Sequence, residues 1–524
     1  MNRAVPDRRP STAPLVTRGC EAPRMPEHVD VVVVGAGISG IGAAYHLREQ
    51  RPDTSFVVLE AEPTFGGTWH THIYPGVRSD SDLHTFGYEF KPWKGKPIAK
   101  ASEILTYLGE VIDENELDRN IRYRHRIETA TWSSDDERWT LTGTDTSHGE
   151  GFAITCRFLW MCQSYYRQRD GHRPTWPGME DFRGPIIHPQ HWPDDLEYQG
   201  KRVVVIGSGA TAATLIPALA PDVEHVTMLQ RSPTFFRTGR NVNELAETLR
   251  EIDTPDEWVH EIVRRRMILD SSKFTELCFD DPAAARDQLV EGVRACLDPQ
   301  HHASIETHFQ PHYLPWRERI AFVPDGDLFH AINTGRASVV TDHIDHFDEH
   351  GIVLASGARL DADIVVTATG FNLNVLGDVA FTIDGEPLRF HATITYHGAL
   401  FTGVPNMAWV FGYFRASWTL RADLIARFVC RLLDHMDALG ARVVVPELRP
   451  EDAGMRLLPW IDPENFNPGY IRRGLHLLPQ QGDRDPWRQT QDYWRDKDVL
   501  PDWNLDDGAL RFRAGGVDVT RDRA

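Results

Sequence analysis

Three features of the sequence predict an α/β fold made of two similar units and a helical insertion. A β-branched run, Val29 to Val34, leads straight into Gly35-Ala-Gly37-Ile-Ser39-Gly40 and then into apolar residues at helical spacing. The same order returns at Arg202 to Leu219, around Gly207-Ser208-Gly209-Ala210-Thr211-Ala212. From Asn241 to Gln310 only helix-type patterning is visible, in Leu245, Leu249, Ile252, Trp258, Ile262 and Val263.

A continuous valine run suits a parallel strand buried on both faces. Ile38, Ile41, Ala44 and Leu47 then repeat at helical spacing until Arg51-Pro52 stops the helix. The glycines of such a turn play separate parts, since one turns the chain, one lets a pyrophosphate reach the backbone, and one lets helix pack on strand. The helix N-terminus then faces the phosphates. A second strand, Ser55 to Leu59, delivers Glu60 twenty positions after Gly40, where a carboxylate accepts hydrogen bonds from a ribose and repels a 2′-phosphate. In the repeat, Val226 to Gln230 delivers Arg231 nineteen positions after Ala212, where a guanidinium can hold a 2′-phosphate. The two units are therefore Rossmann-like dinucleotide-binding domains, the first for FAD or NAD and the second for NADP(H). That pairing suits hydride transfer from NADPH to a bound flavin. A third buried strand, Asp363 to Thr367 ahead of Gly370 and Phe371, is expected to close the first sheet, so that the second domain is inserted in the first.

Composition excludes several classes. Hydrophobic residues at 41% and charged residues at 25% rule out wholesale disorder, and at roughly 150 residues per domain the 524 residues make about three domains. Lys plus Arg number 56 against 76 Asp plus Glu, a net charge of -20, which argues against a nucleic-acid partner. The most apolar stretch, Ile394 to Phe414, is broken by His397, Gly398, Pro405 and Asn406, so no transmembrane segment is expected. Six scattered cysteines without a Cys-x-x-Cys pair fit a reducing, cytoplasmic setting and disfavour thiol-disulfide flavoreductase chemistry. No Gly-x-Ser-x-Gly elbow supports hydrolase chemistry. Residues 1–25, rich in Pro and Arg and without a secretory signal, read as a disordered tail, with Met25 as an alternative start. His343, Asp345, His346, Asp348 and His350 crowd together between two strand-like runs; they read as a polar connecting loop, and no metal is expected.

Two further stretches narrow the chemistry. One is Gly67-Thr68-Trp69-His-Thr-His-Ile-Tyr74-Pro75-Gly76-Val-Arg78-Ser79-Asp80, and the other is Phe182-Arg-Gly184-Pro-Ile-Ile-His188-Pro-Gln-His-Trp192. The second carries every fixed position of Phe-x-Gly-x-x-x-His-x-x-x-Trp between the two glycine turns. With these motifs the chain resembles the type I Baeyer-Villiger monooxygenases over nearly its whole length after Met25. It is most similar to their ethionamide-activating branch, including Pro315-Trp-Arg-Glu318-Arg319, Val340-Thr-Asp-His343, Gly403-Val-Pro-Asn406 and Ala416-Ser-Trp418-Thr419.

The resemblance implies FAD, NADPH and dioxygen in one chain, with no separate reductase. Reduced flavin would add dioxygen at C4a, and the peroxyflavin would attack a ketone to give an ester or lactone; sulfides are further candidate substrates. Arg319 would be the fixed cation for that step, because arginine does not lose its proton, and Asp80 would orient it. The cofactor-binding set comprises Gly35, Gly37, Ser39, Gly40, Glu60, Gly67, Thr68, Trp69, Arg78, Ser79, Asp80, Ile127, Gly370, Gly207, Ser208, Gly209, Ala210, Thr211, Ala212, Arg231 and Ser232. His188 is expected in the linker between the nucleotide domains rather than as a general base. Tyr413 to Leu420 would line the ketone pocket, narrowed by Phe414, Arg415 and Trp418. Departures from the family pattern are Glu318, where a lysine is usual, Ser164 in place of glycine, and His70 in place of an acid. Two other classes stay open: a flavin monooxygenase acting only on nitrogen or sulfur nucleophiles, and a redox-sensing flavoprotein without turnover.

The expected organisation is a tail over 1–25, an FAD domain over 26–166 resuming at 360–524, and an NADPH domain over 167–237 and 318–359. A helical insertion spans 238–317, and the segment from Pro459 is expected to wrap over the nucleotide domains.

Overall fold

The computed structural model describes residues 26–520, so the N-terminal tail and the alternative start at Met25 lie outside the described residues. The valine run forms the strand Glu27–Val34, paired in parallel with Phe56–Leu59 on one side and Glu150–Met161 on the other. The helix Ile38–Gln50 connects the first two of these strands. Val31, Val32 and Val33 are buried, as expected of a strand covered on both faces. Beyond Glu150–Met161 the sheet continues antiparallel through Arg138–Asp145 and His125–Ser133.

The second sheet is wholly parallel, in the order Ala337–Thr341, His225–Gln230, Arg202–Ile206, Ile364–Thr367, Ile186–Ile187. Here one expectation is corrected. Ile364–Thr367 does not close the first sheet; Val365 pairs with Val204 in the centre of the second, which therefore runs past the expected boundary at Arg359. The first sheet gains Ala380–Ile383 and Met407–Trp409 in its place. A buried β-branched run announces a strand covered on both faces, and both sheets offer such a position.

The insertion is helical. Glu244–Glu251 is capped by Asn243 accepting from the Ala246 amide at 3.0 Å, and Pro282–Cys296 by Asp281 accepting from the Ala284 amide at 3.0 Å. Between them runs the long helix Asp256–Asp280. Its Val259 and Val263 pack against Ala246, whereas Trp258 is 63% exposed: the helical spacing holds, but the buried face is turned away from Trp258 and Ile262. The buried Arg264 ties this helix to the first domain, one nitrogen donating to the carbonyls of His84, Thr85 and Gly87 at 2.9–3.1 Å. The ends of the insertion are joined by parallel pairing of Phe236–Gly239 with Ala321–Pro324.

Residues 343–350 are not a connecting loop. Ile344–Asp348 pairs antiparallel with Gly351–Leu354, and a bulge between Ile344 and His346 lets Ile344 and Phe347, three apart, both turn inward. The segment from Pro459 buries Trp460, Phe466, Ile471 and Leu478 in the core of the first domain and reaches the insertion end through the Asn467 amide, which donates to the Arg317 carbonyl at 2.9 Å.

Candidate active site

Both glycine turns open on one cavity of about 1340 Å3, larger than the roughly 300–1,000 Å3 that encloses a single drug-sized ligand. At the first turn Gly35 has φ +97°, and a Cβ on Gly40 would stand 1.8 Å from the Gly35 carbonyl oxygen. That position admits only glycine. Gly37 meets Gly67 so closely that a Cβ on Gly67 would be 3.2 Å from the Gly37 Cα, and no side chain caps the helix beginning at Ile38. Its free N–H groups face the cavity and suit an anionic group. Glu60 is buried beneath the turn, its carboxylate accepting from the Ala36 amide at 2.6 Å and the Glu62 amide at 2.8 Å; burial raises its pKa, and those amides oppose the shift.

At the second turn Gly207 has φ +130°, with a Cβ position 2.3 Å from the Ala368 carbonyl oxygen. Gly209 has no atom within 4 Å of its Cβ position, and the helix Ala210–Leu219 starts there without a side-chain cap. This is again an open approach to free N–H groups.

Gly35, Gly37, Ser39, Glu60, Gly67, Thr68, Trp69, Asp80, Ile127, Gly209, Ala210, Thr211, Arg319 and Gly370 all line the cavity. Others of the expected set do not. Gly40, Gly207 and Ala212 hold the turns from behind, and the Ser208 hydroxyl is shared with Thr234 at 2.8 Å. Arg231 and Ser232 are exposed and do not line the cavity. Arg78 binds Asp327 of the second domain through both terminal guanidinium nitrogens, and the buried Ser79 hydroxyl accepts from the Ala99 amide at 3.3 Å. These two residues link segments of the protein.

Arg319 and Asp80 meet as expected. The Arg319 Nη2 donates to the Asp80 Oδ2 at 3.0 Å, with the two side chains 37% and 34% exposed. Asp80 holds the Arg319 pKa well above its ordinary value against the opposing effect of burial, and the phenols of Tyr165, Tyr470 and Tyr166 reinforce it. Those tyrosines were not read from the sequence. Tyr165 and Tyr166 share a 2.7 Å hydrogen bond, burial pushes both phenols well above their ordinary range, and Tyr165 stacks on Trp418 at 5.1 Å. The Trp418 indole donates to Ser39 at 2.8 Å, which links the aromatic wall to the first glycine turn. Gln163, also missed, lines the cavity at the end of Glu150–Met161 with both amide atoms buried and without a protein partner. An unsatisfied buried polar group costs about 1–3 kcal/mol, so a ligand that meets it is favoured. Phe414 and Arg415 do not narrow the pocket. Phe414 stacks on Phe466 at 4.7 Å, and Arg415 donates to the Asn465 carbonyl at 2.7 Å, while Tyr413, Ala416 and Trp418 reach the cavity.

Residues 33–94 match the family model described as an NAD(P)-binding Rossmann-like domain. The FAD-containing monooxygenase EthA of Mycobacterium tuberculosis is 45% identical over 490 residues, covering 93% of this chain and 98% of the relative. The chain belongs to the FAD-containing monooxygenases. The probable FAD-binding monooxygenase AlmA of Acinetobacter baylyi is 41% identical to the monooxygenase over 494 residues, covering 93% and 97%. The fold of this chain is shared by an oxidised steroid monooxygenase bound to NADP, with a TM-score of 0.70, 24% identity and coverage of 93% and 99%. A cyclohexanone monooxygenase from Rhodococcus sp. Phi1 bound to NADP+ gives a TM-score of 0.64 at 24% identity, covering 81% and 87%. The residues of the first turn fit FAD: free helix N–H groups for phosphates, a buried acid, and an orphaned amide in the wall.

His188 of the monooxygenase does not line the cavity. Its Nδ1 accepts from the Gln190 amide at 3.2 Å, so its Nε2 carries the proton and donates to the Gly370 carbonyl at 3.1 Å. A Cβ on Gly171 would stand 1.9 Å from this ring. His188 thus locks the strands that cross between the domains. Burial lowers its pKa from 6.5 to about 4, so the folded chain keeps it neutral while the unfolded chain takes up a proton below about 6.5. Its contribution to stability is complete above that pH and is lost as pH falls toward 4. Urea unfolding midpoints measured from about pH 7 down to about pH 4.5 should fall more steeply for the wild type than for His188→Gln; equal slopes would contradict this.

Proposed function

We propose that the monooxygenase uses NADPH, bound FAD and dioxygen to insert one oxygen atom beside a ketone carbonyl, giving an ester or lactone, with sulfides as further acceptors. The balance is ketone, O2, NADPH and a proton giving ester, NADP+ and water. The Arg319–Asp80 pair in the cavity between the two glycine turns carries this reading. A fold neighbour named for cyclohexanone, a cyclic ketone, is in keeping with it. FAD, when bound, supplies the ring that accepts a hydride and delivers electrons to dioxygen.

The protein's own side chains do the rest. As an oxygen nucleophile adds to the carbonyl carbon, the carbonyl oxygen becomes negative, and the Arg319 fork donates to it. Asp80 engages one guanidinium nitrogen, Nη2, and fixes the direction in which the others point. Trp418, Tyr165 and Tyr413 form an apolar wall that excludes water, and the raised phenol pKa values keep these tyrosines uncharged.

We assign FAD to the first turn, with Glu60 below it, and NADPH to the second, with Arg231 meeting the 2′-phosphate. Arg231→Ala should raise KM for NADPH by roughly tenfold or more and leave KM for NADH nearly unchanged, since only NADPH carries the phosphate. Equal effects on the two coenzymes would remove the assignment. The oxygenation itself is tested by purified, FAD-loaded protein with a panel of linear, cyclic and aryl ketones. One ester formed per NADPH consumed supports it, and hydrogen peroxide as the sole oxygen product with every ketone counts against it.

A further inference from the structure

We propose that Asp496 is a positioning residue for the substrate: through Tyr413 it fixes the cavity wall on which the ketone or sulfide rests, and so sets how tightly that substrate is held. This rests on the reading of the cavity as the site of oxygenation, with Tyr413 to Leu420 facing the substrate.

The C-terminal segment grips that wall residue by residue. The Tyr413 hydroxyl donates at 2.7 Å to the Oδ2 of Asp496, which lies on the helix Tyr493–Val499. The Phe414 amide donates to the Gln491 Oε1 at 2.7 Å, and Arg415 is held by the Asn465 carbonyl. Of these three wall residues Tyr413 is the one that lines the cavity. Tyr413 also clusters with Leu420 and with Ile268 of the long insertion helix, so the first domain, the insertion and the C-terminal segment meet at its ring.

Asp496 can hold a position because it is itself held. Its carboxylate accepts from the Arg421 Nη1 and from the Thr490 hydroxyl. Arg421 in turn donates to the His397 carbonyl at 2.6 Å and the Thr490 carbonyl at 3.3 Å, and its guanidinium stands 5.4 Å from the centroid of the Tyr413 ring. Tyr413, Arg421 and Asp496 are all buried. A buried charge that is paired and hydrogen-bonded resists displacement, because moving it leaves it unpaired away from water. Burial keeps the Tyr413 phenol well above its ordinary pKa range, so the hydroxyl stays protonated and donates. Without the tether the ring is free to turn at the cavity it borders. A misplacement of about 1 Å beside the reacting atoms can cost as much as about a hundredfold in rate.

Steady-state kinetics of the FAD-loaded wild type, Tyr413→Phe, Asp496→Ala and Asp496→Asn test this, with ester or sulfoxide, peroxide and NADPH followed together. Tyr413→Phe leaves the Asp496–Arg421 pair intact and removes only the tether. Its KM for the ketone or sulfide should rise about tenfold and peroxide should replace part of the product, while KM for NADPH stays as in the wild type. Asp496→Ala should show at least the same split, and combining it with Tyr413→Phe should add nothing, since both remove one contact. Asp496→Asn, which keeps an oxygen to accept from the phenol, should fall between Asp496→Ala and the wild type. Should Asp496→Ala not fold, Tyr413→Phe decides alone. If Tyr413→Phe has a lower melting temperature but the substrate KM and product yield of the wild type, the contact is merely structural and the role of Asp496 is overturned while the oxygenation reading stands. A wild type that gives neither ester nor sulfoxide overturns both.

Discussion

Arg319→Ala is expected to fold, to hold FAD with an ordinary yellow spectrum and to oxidise NADPH, yet to form ester at least about a hundredfold more slowly, with hydrogen peroxide taking its place. Arg319 lies at the cavity wall, not in a core, and among the described residues its side chain is bound by Asp80 alone, at 3.0 Å. Truncation therefore removes a cation from the site without opening a packed interior. What is lost is support for the negative charge that grows on the substrate oxygen, a loss of about 3 kcal/mol or more for a preorganised donor in a site that excludes water. Arg319→Lys restores charge but not the planar fork, so it should recover only part of the rate. Simultaneous measurement of NADPH loss, peroxide and ester separates the effects. Full ester formation by Arg319→Ala would end the assignment of this residue.

Gly40→Ala should fail earlier, at the level of the folded domain. Its Cβ would stand 1.8 Å from the Gly35 carbonyl oxygen and 2.9 Å from the carbonyl carbon, both backbone atoms of the turn itself. Neither can swing aside as a flexible side chain would, so the helix Ile38–Gln50 must separate from the strand Glu27–Val34. A cost of about 3 kcal/mol or more is expected, with a fall in melting temperature and loss of FAD on gel filtration. The matching change at the second turn is the control. Gly209 has no atom near its Cβ position, so Gly209→Ala should melt like the wild type while binding NADP+ more weakly, because the methyl lies in the path of the coenzyme. A Gly40→Ala protein that melts normally with full FAD would contradict the account of the first turn.

How far the molecule was legible in its sequence depends on the distance over which each signal acts. The glycine turns were legible because a strand, a turn and a helix within some twenty residues leave a local imprint, and both turns open on the cavity. The Arg319–Asp80 contact spans 239 positions, and only the family resemblance paired them. Ile364–Thr367 is legible as a buried strand but its sheet is not, since a valine run records burial and not its neighbour. Ile344–Asp348 looked like a loop because its bulge breaks the alternation by which strands are recognised. Gln163 and Tyr470 left no trace, being single polar or aromatic residues whose meaning arises only when distant strands and the C-terminal segment bring them to one wall. Arg78 shows the converse: a position expected at the cofactor instead ties the two domains together through Asp327.

The most direct test of the central claim is turnover of FAD-loaded protein with NADPH and a ketone under oxygen-18 gas, with the product read by mass spectrometry. An ester or lactone carrying one labelled oxygen is the expected result. A labelled sulfoxide or N-oxide from suitable probes, with every ketone returned unchanged, would contradict ketone oxygenation and assign the cavity to soft nucleophiles.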